Sequence, residues 1–241
     1  MKRILPLLLC FVLTVPALAQ DGNAMKKHYL KMYNNALAYN DPAMVISALH
    51  GYLALDSSII YKDTLSMFYF AVKNYYSALL VAEEVYKANP ANAEAGARAA
   101  ECYDNLGDPK TAVKLYEEVV PKTRNPYHIY KLAVGQYQLK RLMECELSAR
   151  TAMADTNSHK IGVSFAIGDG SSQVVPVYAA AANLLGVLQM EAKNMDKAKA
   201  YFNEALKEFP KFVGARQNLD ACDPKPAQKP PAKPPVNKPR G

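Results

Sequence analysis

The chain has no tryptophan, and only four cysteines in 241 residues. Of these, Cys10 lies in the first apolar run, which leaves Cys102, Cys145 and Cys222. An odd, sparse set of thiols excludes a disulfide framework as the basis of the fold. Cys102 and Cys145 fall within helical patterns and read as small buried apolar residues, whereas Cys222, beside the tail, is the candidate for pairing between molecules. Catalytic signatures are missing too: the sequence holds no G-x-S-x-G, no H-E-x-x-H and no P-loop. His28, His50, His128 and His159 lie far apart, and none pairs with another at helical spacing. The Gly168-Asp169-Gly170-Ser171 stretch lacks the alternating acidic ligands of a calcium loop. The reading therefore assigns no catalytic residue, no cofactor and no metal. Glu83-Glu84 and Glu117-Glu118, beside Lys87 and Lys114, read as solvated helix faces.

Long hydrophobic runs are confined to the start. Lys2 and Arg3 precede an apolar stretch from Ile4 to Leu18, and Ala17-Leu18-Ala19 forms a small-x-small cleavage site. Residues 1–19 are expected to be a secretory signal peptide, which implies a periplasmic or otherwise exported chain of the Gram-negative type. The alternative, a lipoprotein anchor at Cys10, fits poorly because Leu9 precedes that cysteine inside the apolar run. No later segment is apolar enough to predict a membrane span.

Charge of one sign is also scarce in the body of the chain. The net charge of +7 arises at the ends. Setting aside Lys2, Arg3 and residues 223–241, with five basic residues against Asp223, leaves 22 basic and 21 acidic residues in 20–222. That balance argues against a nucleic-acid partner, which calls for a basic patch on the fold. The tail, DPKPAQKPPAKPPVNKPRG, is too rich in proline for a helix and reads as an extended, polyproline-II-like segment over 223–241. It is either a solvating spacer or an electrostatic contact to an anionic envelope surface such as peptidoglycan or acidic lipid headgroups.

What the sequence does contain is periodicity. Residues 183–210, NLLGVLQMEAKNMDKAKAYFNEALKEFP, carry Leu185-Gly186 in one helical pattern and a polar break at Lys193-Asn194. A second pattern follows, with Ala198, Phe202 and Ala205 ahead of Pro210. The arrangement closely resembles the tetratricopeptide repeat, with Ala182 at the family's tryptophan position and Gln189 at its tyrosine position. Related units occupy 26–57, 59–91, 93–126 and 126–158, broken at Asn40-Asp41-Pro42, Lys73-Asn74-Tyr75 and Gly107-Asp108-Pro109. Successive shifts are 33, 34, 33 and then 53 residues, which isolates an insertion of about 20. The inserted stretch, about 159–177, alternates Ile161, Val163, Phe165 and Ile167, then turns through glycine and serine and resumes with valines. That is hairpin chemistry.

The expected fold is thus all-α: a right-handed solenoid over 20–222 of about five helix-turn-helix repeats plus a capping helix at 212–222. One β-hairpin interrupts it between the fourth and fifth repeats. Gly186, Ala198 and Ala205 supply the close helix approach, with Leu185 and Phe202 packed around them. The resemblance further implies that the first helices line a concave face that holds a protein or peptide partner. By register that face carries Asp63, Met67 and Phe70, then Arg98, Glu101 and Asn105. Tyr127, Tyr130, Tyr137 and Gln138 follow, then Asn183 and Val187. The family's clamp for a terminal carboxylate is not reproduced, since Met67, Ala97 and Val134 stand where it needs polar groups. The aromatic residues either contact a partner or pack between neighbouring helices. The hairpin either packs on the solenoid or offers a strand edge. The expected function is a non-catalytic interaction module, an adaptor or assembly factor of the envelope. The alternative is a structural spacer held to peptidoglycan by its tail.

Overall fold

In the computed structural model the residues described are 22–223, so the predicted signal peptide and the tail beyond Asp223 lie outside them. Ten helices form five antiparallel pairs. These are α1 (Gly22–Ala38) with α2 (Pro42–Leu53), α3 (Ile59–Ala71) with α4 (Tyr75–Ala88), and α5 (Ala93–Asn105) with α6 (Pro109–Thr123). After α7 (Pro126–Gln138) and α8 (Leu142–Ala154) comes a hairpin of β1 (Gly162–Ile167) and β2 (Ser171–Pro176). The last pair is α9 (Val177–Glu191) with α10 (Met195–Glu208), and α11 (Val213–Cys222) closes the stack. Five helix pairs, a hairpin between the fourth and fifth, and a closing helix follow the order the sequence predicts.

One device makes all five intra-repeat turns. The second residue past each first helix adopts a left-handed conformation: Asn40 (φ 52°), Lys73 (61°), Gly107 (86°), Lys140 (59°) and Lys193 (61°). Its N–H and that of its successor turn back onto the last helical carbonyls, as in Lys73 N–H to Phe70 O and Asn74 N–H to Tyr69 O, both 2.9 Å. The pattern recurs at 36–41, 103–108, 136–141 and 189–194. This pairing satisfies carbonyls a helix end otherwise leaves open. The next residue is the N-cap of the second helix. The side chains of Asp41, Asn74 and Asp108 each accept from a first-turn backbone N–H.

Small residues set the helix spacing. A Cβ on Gly186 would lie 2.4 Å from the Phe202 ring, and one on Gly135 would lie 2.5 Å from Val113. Leu185, Ala198, Phe202 and Ala205 are fully buried, as their spacing requires. First helices also touch across repeats, α3 to α5, α5 to α7, α7 to α9 and α9 to α11, more closely than second helices do. That asymmetry curls the stack with the first helices inside. Cys102 and Cys145 are fully buried, and burial pushes their thiols up to about 12 and about 11. Cys222 departs from expectation: it is buried too, beside Ala198 and Phe202, because α11 folds its end onto the last repeat. It is not available for pairing between molecules without opening that contact.

The strands pair antiparallel, with Val163 opposite Val175 and Phe165 opposite Gln173. Val163 and Val175 are buried, and Ile161 and Phe165 pack against the same core. Phe165 meets Phe212 edge-on at 4.9 Å and Tyr130 at 6.5 Å. The Gln173 side chain donates to Lys211 O at 2.6 Å and accepts from Val213 N–H at 3.2 Å. The hairpin is therefore docked on the solenoid, the support that an isolated two-stranded ribbon needs.

Candidate functional site

The first helices present a polar ladder. Asp63 on α3 accepts from Arg98 on α5 at 2.6 Å and from Asn92 at 2.9 Å. Arg98 also donates to Ser66 at 2.6 Å. Glu101 on α5 accepts from the Tyr127 hydroxyl at 2.5 Å, and Lys131 on α7 lies 2.9 Å from Asp104 and 3.6 Å from Glu101. Tyr137 donates to Glu191, which also lies 3.8 Å from Lys140. Asn218 on α11 donates to Asn183 on α9 at 2.9 Å. Six residues expected to face a partner therefore spend polar groups on one another or on adjacent first helices. Their contribution is geometric: they fix the spacing of the inner helices.

Protonation follows the same contacts. Burial, then Glu101, pushes the Tyr127 hydroxyl well above its ordinary range. The Glu191 hydrogen bond raises Tyr137 to about 12, with burial second. His128 is buried, and burial holds it below the usual histidine range despite Glu94 and Glu101 nearby. Its Nε2 stands 3.7 Å from Glu94, so that carboxylate, with a side chain 60% exposed, faces a neutral ring. Buried polar atoms of Tyr116 (hydroxyl), His128 (Nδ1) and Gln136 (Oε1) have no hydrogen-bond partner.

Open surface remains at Met67, 52% exposed, and at Ile60, 72% exposed and seven residues, about two helical turns, before it. Asn105 and Gln138 are also exposed, while Phe70 is half-buried against Tyr75. Tyr130 is different. It is only 5% exposed, because Phe165 of the hairpin lies over it, and it leaves no surface for a partner. On the hairpin itself, Val163 points inward, Ile161, Phe165 and Ile167 are half-buried, and Val174 is 66% exposed.

Sequence reasoning missed Ser66, Asn92, Asp104, Lys131, Glu191 and Asn218. A signal existed for part of this set. Asp63–Arg98 and Asn183–Asn218 are both separated by 35 residues, one repeat plus one position. On the second helices, Glu83 and Glu84 take Tyr103 and Lys62, and Glu117 and Glu118 take Arg141 and Tyr86. These doublets, read as solvated, instead clasp other helices. A shallow hollow of about 440 Å³ between α8, α9 and α10, lined by Arg150, Tyr178, Tyr201 and Glu204, lies apart from the inner face.

Tetratricopeptide repeat models match residues 69–135 and 184–211. A comparison with curated protein sequences gives no match. Among solved structures, MamA superposes with a TM-score of 0.64 at 13% identity, covering 86% of this chain and all of that one. A tetratricopeptide repeat protein from Parabacteroides merdae gives 0.64 at 13% identity, covering 83% of this chain and 72% of that one. YrrB, described as a tetratricopeptide repeat protein with an unusual peptide-binding site, gives 0.63 at 16% identity, covering 81% and 95%. At such identities these likenesses bear on the fold.

Proposed function

The chain is a tetratricopeptide repeat protein, and from that premise we propose that it holds a protein partner on its inner face, as a non-catalytic adaptor or assembly factor of the bacterial envelope. The observation that carries this reading is the division of labour among the first helices. Asp63, Arg98, Glu101, Tyr127 and Lys131 are engaged with one another or with adjacent first helices, whereas Ile60 and Met67 project apolar surface from the same face. A rigid frame with apolar groups held open suits capture of a segment at low ordering cost. Repeat arrays supply such extended concave surfaces. That YrrB has a peptide-binding site on a similar fold agrees with an extended segment as the partner. The leader expected at 1–19 supports action outside the cytoplasm.

The test is affinity capture from an envelope extract with tagged 20–241. Ile60→Glu with Met67→Glu should abolish capture of the specific partner. Met143→Glu, on α8 at a residue 89% exposed, should preserve it. Equal capture by both variants would refute the inner-face assignment.

A further inference from the structure

We propose that the outer face of α8 is the contact through which two copies of this chain pair back to back, with Leu147 on the two-fold axis.

A helix at the surface of a fold buries one apolar stripe and turns polar residues to water. α8 is apolar on both sides. Its inward stripe, Cys145, Ala149 and Ala152, is fully buried. Its outward stripe begins with Met143, 89% exposed, and Leu147, 68% exposed and about one turn on. Thr151 continues that face, with its hydroxyl spent on Leu147 O at 2.8 Å. Counted from the N-cap of each second helix, the matching exposed positions are Lys110 and Lys114 on α6, and Asp196 and Ala200 on α10. The apolar pair on α8 is therefore a departure from its neighbours.

The stripe is complementary to itself. Two copies of α8 laid antiparallel about Leu147 set Leu147 against Leu147, Met143 against Thr151, and Glu144 against Arg150, each match occurring twice. A two-fold contact requires this reciprocity. Glu144 and Arg150 do have partners within the chain, Arg141 and Glu146. Those side chains are all at least one third exposed, where a bridge is worth little and a charge stays open to a second neighbour. α4 carries a comparable apolar pair, Tyr76 and Leu80, but the same alignment about Leu80 sets Lys73 opposite Lys87. Like charges so placed oppose self-pairing.

Charge and shape exclude other occupants. The rim of the α8 stripe, Arg141, Glu144, Glu146 and Arg150, sums to zero, whereas an anionic membrane surface calls for a basic one. The first helices lie inside the curl, so α8 rides on the convex side. Two convex walls meet along one ridge, and a single helix crossing its copy is such a contact. α8 has 13 residues, fewer than the roughly 20–30 a side of a standard interface, which places the pairing in the micromolar range. Back-to-back pairing turns the two inner faces away from each other. The pair can then hold two segments of a multivalent partner, with the gain in avidity that linkage brings.

Sedimentation velocity of the mature chain 20–241, from about 1 to about 300 μM, should show monomer passing to dimer, as a contact below standard size requires. Leu147→Glu should raise the dissociation constant at least about ten-fold while leaving the urea midpoint unchanged, since Leu147 is exposed in the monomer. Tyr76→Glu should dimerise as the unaltered chain does. A short bismaleimide, matched to the about 8–10 Å between packed helix axes, should join Leu147→Cys chains about ten-fold faster than Tyr39→Cys chains. Tyr39 is 82% exposed and lies off this face, and the native cysteines are buried. A chain that stays monomeric, or a dimer that Leu147→Glu leaves intact, would overturn the proposal. So would an equal loss in Tyr76→Glu, or equal cross-linking of the two cysteine variants. Binding of the monomer to phosphatidylglycerol vesicles, lost in Leu147→Glu, would assign the face to lipid instead. Ile60→Glu/Met67→Glu should leave dimerisation unchanged, so pairing and inner-face capture are read separately.

Discussion

Replacing Lys73, Lys140 and Lys193 with glycine should stabilise the protein. Each sits at φ near +60° in the turn between the helices of its repeat. A side chain in that region costs about 1–2 kcal/mol, because its Cβ crowds the following carbonyl. Glycine removes that cost but returns about 0.5–1 kcal/mol through the greater freedom of its unfolded chain. The net gain is about 0.5–1 kcal/mol per turn. Lys140 should give the smallest gain, since its 3.8 Å approach to Glu191 and its position 5.1 Å over the Tyr137 ring are lost. Both contacts are exposed and worth little. The three turns lie in separate repeats, so the effects should add to about 2 kcal/mol. With a urea m-value of about 2 kcal/mol/M, the midpoint rises by about 1 M. Gly107→Lys, at φ 86°, should move it the other way by about 0.3–0.5 M. Urea titrations followed by far-ultraviolet circular dichroism measure both. A triple variant with an unchanged or lower midpoint at constant m would refute the reasoning.

Three further outcomes follow from the buried groups. His128 is held below its ordinary range, so between its two pKa values the unfolded chain binds a proton that the folded chain does not. Stability is complete above about pH 6.5 and declines as pH falls, by at most about 1.4 kcal/mol per unit. Urea midpoints from pH 7 to 5 should fall less steeply in His128→Gln, and parallel slopes would contradict the assignment. Cys102 and Cys145, raised to about 12 and about 11 by burial, should resist a thiol-titrating disulfide reagent at pH 8 and react once urea is added. Native labelling of either would show that the repeat core opens. Phe165→Ala removes the ring between Phe212 and Tyr130 and should cost about 2 kcal/mol. Limited proteolysis within 159–177 should then accelerate about 30-fold, at ten-fold per 1.4 kcal/mol; an unchanged rate would mean the hairpin is held by other contacts.

The architecture could be read in advance because a repeat announces itself by register. Gly186 with Ala198 and Ala205 states how close two helices come, and an interval of 53 residues where 33 is the rule locates an insertion. The inner face was readable only to the level of which residues share it. Register says that Asp63 and Arg98 both lie on first helices, but not that they satisfy each other at 2.6 Å. That depends on the crossing of α3 and α5. Tyr130 shows the same limit in another form. Its helical position suits a groove residue, yet a hairpin from 35 residues further on covers it. Cys222 reads as a candidate for pairing between molecules because it adjoins the proline-rich tail in sequence, but α11 turns it onto Phe202.

The docked hairpin also governs how the stack comes apart. In a linear array each repeat leans only on its neighbours, so ends fray one unit at a time. Between α7 and α11 that rule is broken. The rings of Tyr130, Phe165 and Phe212 run from the fourth repeat to the cap, and Gln173 clasps the backbone at Lys211 and Val213. Most buried residues from Ile129 to Ala215 share one continuous core, with a small cluster of Ala198, Phe202 and Cys222 beside it, whereas the first three repeats are held by smaller separate clusters. Pulled from its ends, the molecule would peel repeat by repeat from the amino-terminal side and then meet a block that yields all at once. The two halves are thus unequal springs, and load applied through a partner on α3 would be taken up by the softer one.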